Sequence, residues 1–203
     1  MRPAPPLKFA AVGLVALSLS GCISLVPKTK PAQLYRFGVP TTEAPPRSDA
    51  VGVFRVRGQF QREASGDRIL TVTGERAAYI ARSRWVAPAE VLFDEAVAAA
   101  FDSAPGRVRL VLRGEPARSA YMLRLDVRNF ETVYDGDGEN PVVLVRVRAS
   151  LAGGPERSPV ADRLFEARVP AERNRVSAIV VAYNNAVAKV LDDIIAWTNS
   201  SAA

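Results

Sequence analysis

Residues 121–133 read YMLRLDVRNFETV, and the alternation in this stretch decides the fold. Tyr121, Leu123, Leu125 and Val127 fall on one side of an extended chain, while Met122, Arg124, Asp126 and Arg128 fall on the other. A period of two with one apolar and one charged set is a strand with one face buried and one in water. The next segment, 142–151, repeats the pattern: Val143, Val145, Val147 and Ala149 oppose Leu144, Arg146 and Arg148. A third, 164–169, shows Glu166 and Arg168. A sheet with one charged face needs helices only on its other face, which predicts a two-layer α+β sandwich rather than a doubly wound fold.

Two segments supply that second layer. In 176–197, Val176, Ile179, Val180, Tyr183, Val187, Val190, Leu191 and Ile194 recur at three- and four-residue spacing, as one apolar helix stripe requires. Earlier, Val91, Leu92, Glu95, Ala96, Ala99 and Ala100 carry a helical period, with Pro88 near the first turn and Pro105-Gly106 at the end. Further strands are expected at 34–37, 51–56, 69–72 (continued by 78–80 after Gly74) and 107–112.

The amino end has a different character. Arg2 and Lys8 precede an apolar run from Phe9 to Leu19, which has the order of a secretory signal and about half the ~20 apolar residues of a bilayer span. The run ends at LSGC, where Cys22 is the one cysteine of 203 residues. No internal disulfide is open to it. The stretch Leu19-Ser20-Gly21-Cys22 resembles a bacterial lipobox, which implies cleavage after Gly21 and acylation of Cys22. Ile23, rather than Asp, follows Cys22; the sorting pattern of Gram-negative lipoproteins then implies the outer membrane, facing the periplasm. The proline-bearing stretch to Leu34 is an extended tether, reaching at most about 40 Å over its roughly 12 residue steps. The expected organisation is a signal at 1–21, a tether at 22–33, one domain at 34–199 and a tail at 200–203.

Composition removes several function classes. There is no histidine, and the single thiol is assigned to acylation, so Ser-His-Asp triads, Cys-His dyads and Cys/His zinc sites are excluded. Asp192 and Asp193 are consecutive helix positions and point in different directions, which argues against a paired-carboxylate enzyme. The formal charge is +6 at pH 7, compatible with anionic lipid or an acidic partner, while the export signal disfavours nucleic acid. Residues Asp135–Asn140, DGDGEN, carry alternate acids, but the calcium-loop positions five and twelve are Glu139 and Arg146, so a Gly-rich hairpin accounts for them. No metal or other cofactor is expected.

Candidate partner-binding residues are Arg124, Arg146 and Arg148, with Arg128 and Arg168, as a basic sheet face, and the Arg84-Trp85 pair ahead of the first helix. Each has an alternative: a solvated face interleaved with Asp126 and Glu166, and a tryptophan closing one end of the core.

Several stretches together, the lipobox, LYRFG, residues 77–101, 121–131 and 180–197, resemble the ABC-type transport auxiliary lipoproteins, the family of the paraquat-inducible Pqi lipoprotein. The most specific elements are Tyr79, Arg84-Trp85 and Pro88 entering the first helix, and the Ala182–Ala186 phrase in a last helix ending at Trp197. The resemblance implies a mixed, mostly antiparallel sheet with two helices on one face, similar to the amino-terminal domain of TolB. It implies an accessory role, without catalytic residues, beside an MCE-domain protein, an ABC permease and an ATPase that move phospholipid or other hydrophobic molecules across the envelope. A ring-forming partner of this kind makes a homo-oligomer one of the assemblies to test. A stand-alone lipid carrier or a structural envelope lipoprotein is the alternative.

Overall fold

The computed structural model describes residues 31–38, 50–115, 117–135 and 140–202. The expected signal, Cys22, most of the tether and the Gly136–Glu139 centre of the acidic hairpin lie outside the described residues.

Among the described residues the chain forms β1 (Gln33–Tyr35), β2 (Val51–Val56), β3 (Arg68–Thr73), β4 (Arg76–Trp85), α1 (Ala89–Ser103), β5 (Val108–Val111), β6 (Tyr121–Val133), β7 (Val142–Gly153), β8 (Ser158–Pro170) and α2 (Val176–Ser201). The eight strands make one mixed sheet. Its long ladders, β6 with β7, β7 with β8 and β3 with β4, are antiparallel. Short parallel ladders join β1 to β4, β2 to β5, β2 to β6 and β3 to β6. The expected α+β architecture is present, and the antiparallel part is the part its alternation made visible.

β6 is the spine. One edge pairs along its whole length with β7, whereas the other edge is shared: Tyr121–Arg124 pair with β2, and Thr132 and Val133 pair with β3. Two wings, β2–β5 and β3–β4–β1, therefore leave the same side of one strand. Between them Phe60 bridges to Val127. There Gly58 passes so close to β6 that a Cβ would stand 1.8 Å from the Leu125 carbonyl oxygen, so only glycine fits.

A bulge in β6 changes the simple alternation. Val127 pairs with Val147 but Asn129 pairs with Arg146, leaving Arg128 as the extra residue. The inward set is thus Leu123, Leu125 and Val127 before the bulge and Phe130 and Thr132 after it, all buried.

The segment 76–85 is a separate strand, turned back on β3 by a hairpin at Gly74 (φ 56°), rather than a continuation of it. The Arg84-Trp85 pair ends this strand. α1 starts at Pro88, which has no side-chain cap; instead the Ala89 and Glu90 N–H groups donate to the Gly66 and Ser65 carbonyls. These bonds satisfy donors that a helix start leaves free. Pro105, just past the end, stops its continuation.

α2 covers the sheet with Ile179, Tyr183, Val187, Val190, Leu191 and Ile194, each at most 1% exposed. It runs to Ser201 and Ala202 is buried, so residues 200–202 belong to the domain and not to a tail. The tie is Asn199, whose side-chain oxygen accepts from the backbone N–H of Arg107 and Val108 at 2.9 and 3.0 Å.

At the centre lies an aromatic cluster. Phe37 stands 4.9 Å edge-on to Trp85 and 5.1 Å from Phe130; Tyr183 stands 5.1 Å from Trp85 and 4.9 Å from Phe130. Such offset and edge contacts contribute beyond simple burial. Burial pushes the Tyr183 hydroxyl pKa up, and that hydroxyl accepts a 3.2 Å hydrogen bond from Thr132.

Candidate functional site

The face of the sheet turned away from the helices carries the predicted arginines, and the register explains why they meet acids. Alternation sends Arg124, Asp126, Arg146, Arg148, Asp162, Glu166 and Arg168 to the same side. Cross-strand pairing then sets Asp126 opposite Arg148, Arg146 opposite Glu166 and Ser150 opposite Asp162. Arg146 donates to Glu166 at 2.7 Å, Arg168 to the other oxygen of Glu166 at 2.8 Å, and Arg148 to both Asp162 oxygens at 2.9 and 3.0 Å. Ser150 completes the Asp162 shell with a 2.6 Å bond.

Asp126 is the buried member, 6% exposed. Burial would raise its pKa, but the Gln59 backbone N–H at 2.8 Å and the guanidinium groups of Arg124 and Arg128 outweigh it, holding the carboxyl below the usual range. Bonds from Arg168 and Arg146 lower Glu166, and bonds from Arg148 and Ser150 lower Asp162. The face is therefore a lattice of alternating fixed charges. Its contact chemistry lies in the pattern of charge, with five arginines sharing three carboxylates and so leaving a small positive excess.

The other predicted pair separates. Arg84 is on the surface and grips Asp67 with bonds of 3.0 and 2.8 Å. Trp85 is 2% exposed inside the aromatic cluster, because neighbouring strand residues point to opposite faces. The tryptophan is a core residue in this fold and offers no ring to a partner. Trp197 is half-buried, edge-on to Phe165 at 5.7 Å.

Sequence reasoning missed Asp162 and Ser150 as parts of the lattice. β8 begins at Ser158, and its first half is an exposed edge whose Pro159 and mixed charges hide the period. The signal available was the continuation of the Arg168, Glu166 and Leu164 parity back to Asp162.

Clefts are present among the described residues. One, of about 300 Å³, is lined by Phe54, Tyr121, Met122 and Arg157 among others; a second, of about 360 Å³, is lined by Glu172, Arg175, Val181 and Asn185 among others. None of the clustered aromatic residues lines either one. Among the described residues no group of three or more Cys, Asp or Glu side chains is placed to hold a metal, and no helix is long and apolar enough to cross a membrane.

A family model described as the ABC-type transport auxiliary lipoprotein component matches residues 39–195. Protein XCC0632 from Xanthomonas campestris, of the DUF330 family, shares the fold with a TM-score of 0.72 at 24% identity, over 84% of this chain and 97% of that one. An uncharacterized protein matches with a TM-score of 0.63 at 14% identity, over 82% and 98% of the two chains. The protein CT253 from Chlamydia trachomatis matches with a TM-score of 0.52 at 11% identity, over 75% and 97%. No curated protein matches the chain. The match over most of the folded domain, on a two-layer sheet of the expected kind, places this chain in the family of ABC-type transport auxiliary lipoprotein components.

Proposed function

We propose that this chain is a lipid-anchored accessory subunit of an MCE-type ABC transport system that moves phospholipid or other hydrophobic molecules across the cell envelope. Acyl chains on Cys22 hold it in the inner leaflet of the outer membrane, facing the periplasm. More than one chain matters, because a single one gives only marginal binding. The tether limits how far the domain stands from that leaflet, and the ionic face of β6, β7 and β8 engages the MCE-domain protein or the permease. The role is positional and non-enzymatic.

The observation that carries this reading is the family match over 39–195 in a chain whose single cysteine stands at Cys22, in a lipobox-like sequence. The charge lattice supports a protein partner, since paired charges specify orientation more than raw affinity. The test is to cross-link the acylated protein in its native envelope, purify it and identify the bound proteins by mass spectrometry. An MCE-domain subunit, a permease and an ATPase are expected. Recovery of none of them, under conditions that retain other envelope complexes, refutes the proposal. Cys22→Ala is expected to release a folded domain from the membrane fraction and to abolish barrier function; full barrier function from the soluble form would refute the positional mechanism.

A further inference from the structure

Among the described residues, the most exposed large apolar side chain is Leu34, at 63%, on the edge strand β1. Val86, at 54%, follows β4, and its N–H donates to the Tyr35 carbonyl, so it continues the same ladder. Leu34 is the register partner of Arg84, and Arg84 is the register partner of Arg68. A single row across three strands thus reads apolar, cationic, cationic, on the face opposite Trp85. Two arginines directly across from one another repel. Here Asp67 holds Arg84, and the Tyr79 ring lies 3.7 Å beneath the Arg68 guanidinium, which leaves Arg68 its full charge.

Beside the row β4 is irregular. Between the pairs Leu70–Tyr79 and Arg68–Arg84, β4 spends more residues than β3. The excess contains Arg82, exposed and in the left-handed region at φ 54°. A non-glycine residue there is uncommon and strained. Among the ion pairs of the described residues Arg82 has none. Apolar tips beside cations, of which Arg68 and Arg82 carry no ion pair among the described residues and Arg84 is held by Asp67, are what an interface with anionic lipid headgroups accommodates, about 1 kcal/mol per unpaired cation near the surface.

The connectivity names the occupant. β1 is the first element after the tether, and Lys28 and Lys30 lie in the tether itself. Of all sheet edges β1 is joined to Cys22 by the shortest chain. The geometry points to the Leu34, Val86, Arg68, Arg82 and Arg84 patch as the surface by which the domain rests on the anionic lipid of the leaflet that anchors it. This orients the β8 edge, at the other end of the sheet, away from the lipid. The inference rests on the tethered reading of Cys22.

Acylation consumes the native thiol, so an introduced cysteine is unique for labelling. Leu34→Cys and, as the control, Leu164→Cys, also exposed but on β8, are labelled with an environment-sensitive fluorophore in the acylated full chain. The chain is reconstituted in phosphatidylcholine vesicles with or without phosphatidylglycerol, and quenching by brominated lipid is measured. Quenching at position 34 but not at 164, dependent on phosphatidylglycerol and lost at about 1 M salt, where the Debye length is about 3 Å, is the expected result. Arg82→Ala should lower the docked-to-undocked ratio about fivefold.

Equal quenching at both positions, or quenching indifferent to phosphatidylglycerol, overturns the proposal. Label-to-label energy transfer at position 34 that rises with protein density and excludes lipid quenching overturns it in favour of a second copy. A second dye at Cys22 would show a free thiol and sink the tethered reading; the same chain added from solution to the vesicles would still decide whether the patch contacts lipid.

Discussion

Replacing Phe37 by alanine tests whether the segment leading from the tether is built into the core. Phe37 is 2% exposed and touches Trp85, Phe130 and Tyr183, while β1 itself pairs with β4 through only Gln33, Leu34 and Tyr35. A buried phenylalanine removes about 150–250 Å² from water, which at about 25 cal/mol per Å² gives an upper estimate near 4–6 kcal/mol. Measured Phe→Ala costs in cores run about 3–5 kcal/mol, and the two ranges agree. For a chain of this size that corresponds to a fall in melting temperature of about 6–20 °C. The assay is urea unfolding followed by tryptophan fluorescence, which reads the Trp85 neighbourhood together with that of Trp197, and the Trp85 part is isolated in a Trp197→Phe background. The midpoint should fall with the slope m unchanged, the sign of lost stability rather than altered compactness. A loss below about 1 kcal/mol, the scale of an ordinary substitution, would refute the reasoning and detach β1 from the core.

Three further outcomes follow from particular contacts. Asp126→Asn should cost about 1.5–3 kcal/mol at neutral pH, because it weakens charge-assisted bonds from Gln59, Arg124 and Arg128. Since the folded pKa of Asp126 is lowered, that stability is present above the unfolded value near 4 and fades as pH falls through the folded one. Urea midpoints of wild type and variant should therefore converge in acid, and a constant gap would contradict the assignment. Gly58→Ala should cost about 1–3 kcal/mol or more, from a clash with the Leu125 carbonyl, whereas Gly66→Ala, with open space at its Cβ, should be nearly silent in the same melts. Arg146→Ala should change stability by no more than about 1 kcal/mol, as expected for a surface ion pair. It should nevertheless weaken recovery of transporter subunits in cross-linking; unchanged recovery would remove this face from the docking surface.

The antiparallel half of the sheet was legible because β6 and β7 each bury one face and wet the other, which writes the period into neighbouring letters. The helix stripe of α2 was legible for the same reason. The parallel ladders were not, because the pairing of Val53 with Tyr121 or Thr71 with Thr132 leaves no local mark. The bulge at Arg128 escaped because one extra residue shifts parity without altering composition. Trp85 was ambiguous from its letters alone: an Arg-Trp dipeptide fits a surface anchor and an alternating strand equally, and only the register with Tyr35 sends the ring inward. The arginine face was visible as charges, but its balance was not, since Asp162 lies in the part of β8 whose period is masked by edge residues.

The forked sheet also sets an order of events in time. β2 and β3 pair with β6 across a separation of some sixty to seventy residues, and closing loops of that length carries an entropic cost that non-local contacts recover only once formed. In a chain delivered amino end first, the β2 wing must wait, unpaired along one edge, until residue 124 has emerged, and the β3 wing until residue 133. The β3–β4 hairpin can form early, yet its open edge is a template for any other strand during that interval. A delay placed between the wings and the spine would therefore raise aggregation more than an equal delay after β8, a difference of timing to which the stability of the finished fold is blind.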